Sequence, residues 1–154
     1  NGVALSADED FVLVAESYHY QLTRYWLEGP KKGTSDIFAD NLAGFPDNIT
    51  RDDQGHFWVG IFTTRLSFVD QMHSNPWLAS TMAKVPQSLL NGASAPAKHG
   101  LAAEFSPQGE LIGSWHDPEG KLYGVTTAAS HNGYLYIGTA PGGSKGVHRV
   151  LLTK

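Results

Sequence analysis

The sequence predicts an all-β protein, a β-propeller represented by about three blades with a short helical insertion. Three observations carry that expectation. A short strand, a polar turn and a strongly apolar strand recur in "NGVALSADEDFVLVAES" (Asn1 to Ser17), "DNITRDDQGHFWVGIF" (Asp47 to Phe62) and "VTTAASHNGYLYIGTA" (Val125 to Ala140). The turns "ADED", "DDQG" and "SHNG" hold the Asp, Asn and Gly that hairpins use. Setting Val14-Ala15 against Val59-Gly60 gives a period of about 45 residues, the size of one four-stranded blade.

The elements follow in chain order. The first blade, about residues 1–43, is completed by "QLTRYWLEG" and "DIFADNLAG" as third and fourth strands. The second, about 44–120, takes "GLAAEFSPQG" and "ELIGSWHDPEG" as its last two strands and holds an insertion at 65–98. In that insertion Asn75 suits an N-cap and Pro76 the first helical position, with Leu78, Met82 and Val85 at helical spacing. One or two short helices are expected there, broken at Pro86, with Gly92 suited to a C-terminal cap. The third blade, about 121–154, has only three strands: Val125 to Ser130, Tyr134 to Ala140 and Gly146 to Thr153. A blade lacking its outer strand and a start inside a motif together predict the C-terminal half of a larger ring. The missing N-terminal half, or a second copy of the chain, is the expected companion, since an open ring exposes apolar flanks and an unpaired strand edge.

Composition narrows the function. Hydrophobic residues make up 41% and charged residues 17% of 154 residues, which suits a folded domain with a sizeable core. A net charge of −4 without a basic run argues against nucleic acid as a partner. The absence of cysteine excludes disulfides and thiolate metal sites. No apolar run approaches the roughly 18 residues of a membrane helix, and any leader or anchor is expected in the missing N-terminal part. The compartment is not indicated.

One stretch, "GFPDNITRDDQGHFWVG", places Asp47 and Asn48 at the head of a strand, although both are turn residues by preference. In a propeller the first strand of each blade lines the central channel. Asn1 and the Asp47–Asn48 pair begin such strands one blade apart, so all three point to one spot on the axis. Converging hard oxygen donors suit calcium or magnesium rather than zinc or copper. Loops joining second and third strands return to the same face, which makes Tyr18, His19 and Trp77 candidates for a pocket rim. Asp8, Asp52, Asp53 and His131 fall in turns on the opposite face and read as structural. The sequon "NIT" at Asn48 is a poor glycan site on a channel strand, and "GTAPGGSKG" joins two strands instead of opening a helix.

The segments "NGVALSADEDFVLVAES", "RYWLEGPKKGTSDIFADNLAGFPDNITRDDQGHFWVG" and "SWHDPEGK...SHNGYLYIGT" resemble the strictosidine-synthase-like group of six-bladed propellers. That group takes in the adipocyte plasma membrane-associated proteins and is related to the paraoxonase and gluconolactonase (senescence marker protein) families. The resemblance implies a divalent metal in the channel, usually calcium, with Asn1, Asp47 and Asn48 at ligand positions. It also implies an acid/base role for Asp47 and places further ligands, including a glutamate, in the missing half. True strictosidine synthases place a catalytic glutamate in the innermost strand of the last blade. Here Thr126 occupies that neighbourhood and no acid lies between Tyr123 and His131, so amine–aldehyde condensation is not expected.

The function expected is a calcium-dependent hydrolase of lactone or aryl-ester type, with the ion (calcium or another divalent cation) polarising the carbonyl and Asp47 binding it or activating water. Its partner is a small-molecule ester or lactone. The rival from another class is a non-catalytic propeller scaffold that keeps a structural ion and binds a protein. A strictosidine-synthase-like protein without synthase activity is a third reading.

Overall fold

The computed structural model of the chain describes residues 1–86 and 96–152. Eleven strands and two helices are present among them. The first sheet holds β1 (Val3–Leu5), β2 (Phe11–Glu16), β3 (Gln21–Trp26) and β4 (Ser35–Ala39). The second holds β5 (Gly44–Arg51), β6 (Phe57–Thr64), β7 (Gly100–Phe105) and β8 (Leu111–Asp117). The third holds β9 (Val125–His131), β10 (Tyr134–Thr139) and β11 (Val147–Leu151). Every sheet is an antiparallel meander in sequence order. β1 runs beside β5 and β5 beside β9, so the first strands of successive sheets line a common axis. This is the blade arrangement of a propeller, with about three blades present.

Side-chain alternation explains the layering. In β2, Phe11, Leu13 and Ala15 point inward and are buried, while Val12, Val14 and Glu16 face the other way. With Leu22 and Phe38 they pack on Phe57, Val59, Ile61, Leu101 and Phe105 of the second sheet. The alternate residues Trp58 and Ala102 point across to Val125, Ala128, Leu135 and Ile137 of the third. The middle sheet is therefore covered on both faces, which is why "FWVGIF" reads as one apolar run. The far face of the first sheet has no cover among the described residues and leaves Val3, Leu5, Tyr25 and Ile37 exposed. Val147, Val150 and Leu151 on the edge strand β11 are exposed as well.

Turn chemistry matches the sequence. Asn132 and Gly133 both take positive φ (49° and 76°), and His131 pairs with Tyr134, giving a two-residue hairpin. Ser6 Oγ accepts from Phe11 N at 3.0 Å, and Ser106 Oγ accepts from Gln108 N at 3.2 Å and Glu110 N at 3.1 Å. In the insertion, α1 (Ser67–Ser74) buries Val69 on the first core beside Leu66 and Met72. α2 (Pro76–Met82) is capped by Asn75 Oδ1, which accepts from Leu78 N at 3.3 Å. Leu78, Met82 and Val85 are half-buried and Trp77 is exposed. The expected cap at Gly92 and the end of the last strand at Thr153 lie outside the described residues.

The second and third blades meet at Gly60. A Cβ on Gly60 would lie 2.6 Å from the Thr126 carbonyl carbon and 2.7 Å from Thr127 N, both backbone atoms of β9. Neither can swing aside as a side-chain end could, so the two sheets must part. We expect Gly60→Ala to lose roughly 1–3 kcal/mol of stability through overpacking. A urea titration checks this: the midpoint falls with an unchanged slope, and an unmoved midpoint would show that the blades do not bear on each other there.

Candidate functional site

The strand carrying Asp47 and Asn48 is irregular where they sit. Pro46 pairs with Ile61 and Ile49 with Val59, so Asp47 and Asn48 together stand opposite Gly60. This two-against-one arrangement is a β-bulge, a device that re-aims side chains and accommodates residues of poor strand propensity. The sequence placed the pair at the strand's head; the strand begins at Gly44, three residues before Asp47. The signal for the bulge was the Asp-Asn pair itself.

Gly2 brings the first blade onto this bulge. Its N–H donates to the Asp47 carbonyl at 3.0 Å. A Cβ here would lie 2.5 Å from both Asn48 Cα and Asp47 O, so a residue with a side chain would push β1 away. Asn1 is thereby delivered beside Asp47. Its backbone nitrogen donates to Ala15 O at 2.8 Å, and its Nδ2 donates to Ser17 Oγ at 3.1 Å. Ser17 Oγ in turn donates to Pro46 O at 2.6 Å.

Asp47 is half-buried and Asn48 exposed. Burial pushes the Asp47 carboxyl above the usual carboxylate range, and the side-chain amide of Asn1 offsets this only in part. No Lys, Arg or His side chain forms an ion pair with Asp47 among the described residues. A half-buried carboxylate without a compensating side-chain cation, beside the Asn1 amide and next in sequence to Asn48, has the hard-oxygen chemistry that a divalent ion takes. Two clefts among the described residues lie elsewhere. One of about 430 Å3 opens beside Leu42, Ile61 and His116, and one of about 630 Å3 beside Asp8, Arg24 and Gln54.

The rim candidates separate. Tyr18 and His19 lie in a 3-10 turn (Ser17–His19) packed against β5. Tyr18 is exposed and meets Phe45 edge-on at 5.7 Å. His19 Nδ1 pairs with Glu16 Oε2 at 2.6 Å, and Thr23 Oγ1 donates to Glu16 Oε1 at 2.5 Å. The Thr23 and His19 bonds hold the Glu16 carboxyl below its usual range. Trp77 stands on α2, 74% exposed, and makes no aromatic pair with Tyr18 or His19 among the described residues. Tyr20, which sequence reasoning passed over, is buried between Phe45 (5.0 Å) and His73 of α1 (5.5 Å) with Arg65 above its ring at 4.5 Å. It ties the insertion to the strand that bears Asp47. Only its place beside the Tyr18–His19 loop could have flagged it.

A second polar cluster lies at the opposite end of the same sheet. Ligand-type atoms of Asp52, His56 and Glu104 fall within 4.8 Å of one another, so this group could hold an ion. Its internal bonds are nevertheless well filled. Asp52 Oδ1 accepts from Gln54 N at 2.9 Å and His56 N at 3.0 Å, and Oδ2 accepts from Trp58 Nε1 at 2.9 Å. His56 Nδ1 pairs with Glu104 Oε1 at 2.8 Å across the β6–β7 ladder. Asp52 thus closes the hairpin and anchors the indole, a structural task. The His56–Glu104 pair was not legible because the insertion separates its members by 48 residues. On β9, Thr126 Oγ1 donates to Gly138 O at 3.3 Å.

No protein-family model matches the chain. Among curated proteins it is 37% identical over 144 residues to adipocyte plasma membrane-associated protein of Bos taurus, covering 90% of this chain and 35% of the relative. To strictosidine synthase-like protein 13 of Arabidopsis thaliana it is 33% identical over 144 residues, 92% of this chain and 35% of the relative. The chain spans about a third of the length of the curated relatives it matches. Among solved structures it superposes on luciferin-regenerating enzyme with a TM-score of 0.55 at 17% identity, over 89% of this chain and 36% of that one. It superposes on a gluconolactonase of Xanthomonas campestris with a TM-score of 0.54 at 17% identity, over 90% and 34%. Along nine-tenths of its length the chain is homologous to the adipocyte plasma membrane-associated and strictosidine-synthase-like proteins, and its own fold is about three blades of a β-propeller.

Proposed function

We propose that Asn1, Asp47 and Asn48 hold a hard divalent cation, calcium by the family resemblance, in a hydrolase acting on lactones or aryl esters. One observation carries this: the glycine contact that sets the Asn1 amide beside a half-buried Asp47 carboxylate with no side-chain counter-ion. Calcium bound there supplies a Lewis acid for a carbonyl oxygen. Asp47 serves as ligand, or takes a proton from the attacking water, a task its upward-shifted carboxyl favours. Tyr18 and His19 offer an aromatic and a polar contact at the edge of the site for an aryl or lactone ring. Thr126 has no carboxyl to activate an amine, so the synthase reaction is not part of the proposal. None of the described helices is long and apolar enough to cross a membrane.

Calcium should raise the melting temperature, since a ligand of the native state stabilises it by about 2.7 kcal/mol at a hundred times Kd. Asp47→Ala should abolish the rise. Equal melting temperatures in calcium and in chelator would falsify the metal site.

The pH dependence has a definite sign. A carboxyl raised in the folded state binds its proton more tightly there than in the unfolded chain. Its charge therefore costs stability above the ordinary Asp range, and the cost disappears as pH falls below it. In chelator at pH 7, Asp47→Asn should be more stable than the wild-type chain, with the difference closing towards pH 3. A difference of the opposite sign, read by urea denaturation, would mean that Asp47 is held by a favourable partner.

Turnover of a panel of lactones and aryl esters, assayed with the complete propeller, should require calcium and be lost in Asp47→Asn. Calcium binding without turnover on any substrate would instead support the scaffold reading. The exposed apolar face of the first sheet supports a further blade or a second copy packing there. Light scattering on the isolated chain should then find a species larger than 16.7 kDa, and a monodisperse monomer would remove the second copy.

A further inference from the structure

We infer that Ser17 is a positioning residue that fixes which end of the Asn1 amide faces the cation; this rests on the metal reading above. The serine hydroxyl has a single proton. At 2.6 Å from Pro46 O, which can only accept, that proton is committed to the carbonyl. Toward Asn1, 3.1 Å away, Ser17 Oγ can then act only as an acceptor. The amide must present its NH2 to Ser17, and Oδ1 is left as the free end, with no hydrogen-bond donor on it among the described residues.

The consequence is chemical. A calcium ion coordinates the oxygen of an amide and is repelled by its NH2. The neighbouring Asp47 carboxylate also attracts that NH2, and Asp47 alone would turn the NH2 toward the place of an ion at its carboxylate. Ser17 draws the NH2 from the side of the first blade instead. The same hydroxyl holds Pro46 O, the carbonyl just before Asp47, so one atom ties Asn1 to the bulge of the second blade. Outer partners of this kind typically change metal affinity by about 10–100-fold when removed.

The test compares variants of equal shape. Ser17→Thr keeps the hydroxyl and Ser17→Val replaces it with a methyl; Ser17→Ala stands in if valine prevents folding. Calcium titration by calorimetry should leave Ser17→Thr within about threefold of the wild-type chain and weaken Ser17→Val by about 10–100-fold. Terbium luminescence decay in H2O and D2O should count about one more bound water in Ser17→Val than in the wild-type chain, because water takes the place of the amide oxygen. In an Asn1→Ala background Ser17→Val should have no further effect, since its action runs through Asn1. Wild-type binding with unchanged affinity in Ser17→Val, or an undiminished Ser17→Val effect in the Asn1→Ala background, overturns the inference and leaves the metal site standing. Absence of binding by the wild-type complete propeller removes the metal site itself.

Discussion

The contact on which the site depends is the 3.0 Å hydrogen bond from Gly2 N to Asp47 O, made across two blades. It requires that β1 approach β5 to a distance only glycine permits, because the space a Cβ would need is filled by Asn48 Cα and the Asp47 carbonyl. The contact also sets the position of Asn1, one residue earlier, and of the bulge, which is held from the other side by Ser17 through Pro46 O. An asparagine and an aspartate far apart in sequence thus become neighbours through backbone geometry.

The same device recurs one blade on, where Gly60 lets β6 bear on the backbone of Thr126 and Thr127. Gly60 is also the residue opposite the Asp47–Asn48 bulge. The packing of the second blade on the third and the shape of the candidate site therefore share one residue. Around it, the middle sheet sends Phe57, Val59 and Ile61 into one core and Trp58 into the other. A change that parts either interface moves the bulge, so stability and site geometry are coupled through β6.

The carboxylates of the blades are held in two different ways. Asp36 and Asp117 have partners that lower the cost of their charge. Asp36 accepts from Arg24 Nε at 2.8 Å, Trp26 Nε1 at 3.1 Å and Lys31 Nζ at 3.0 Å, and its carboxyl lies far below the usual range, chiefly through the Arg24 bond. The backbone N–H of Leu122 holds the Asp117 carboxyl below its usual range. Asp47 is shifted the other way, because burial outweighs what Asn1 offers it. Carboxylates that stabilise a fold are given partners, and a half-buried one left short of them is a candidate for a ligand.

The sequence by itself determined the strands and their grouping, since period-two alternation, the Asn-Gly turn and the repeat of about 45 residues are local signals that survive without tertiary context. It also singled out Asn1, Asp47 and Asn48, because Asp and Asn are out of place in a strand and their conflict with propensity is visible residue by residue. Tertiary structure alone decided that the pair occupies a bulge opposite Gly60, that Gly2 is the hinge of approach, and that Ser17 joins Asn1 to Pro46. It likewise paired His56 with Glu104 and buried Tyr20 beneath α1. These contacts join residues on different strands and blades, and the register that brings them together is set by the packing of whole sheets, which no window of sequence contains.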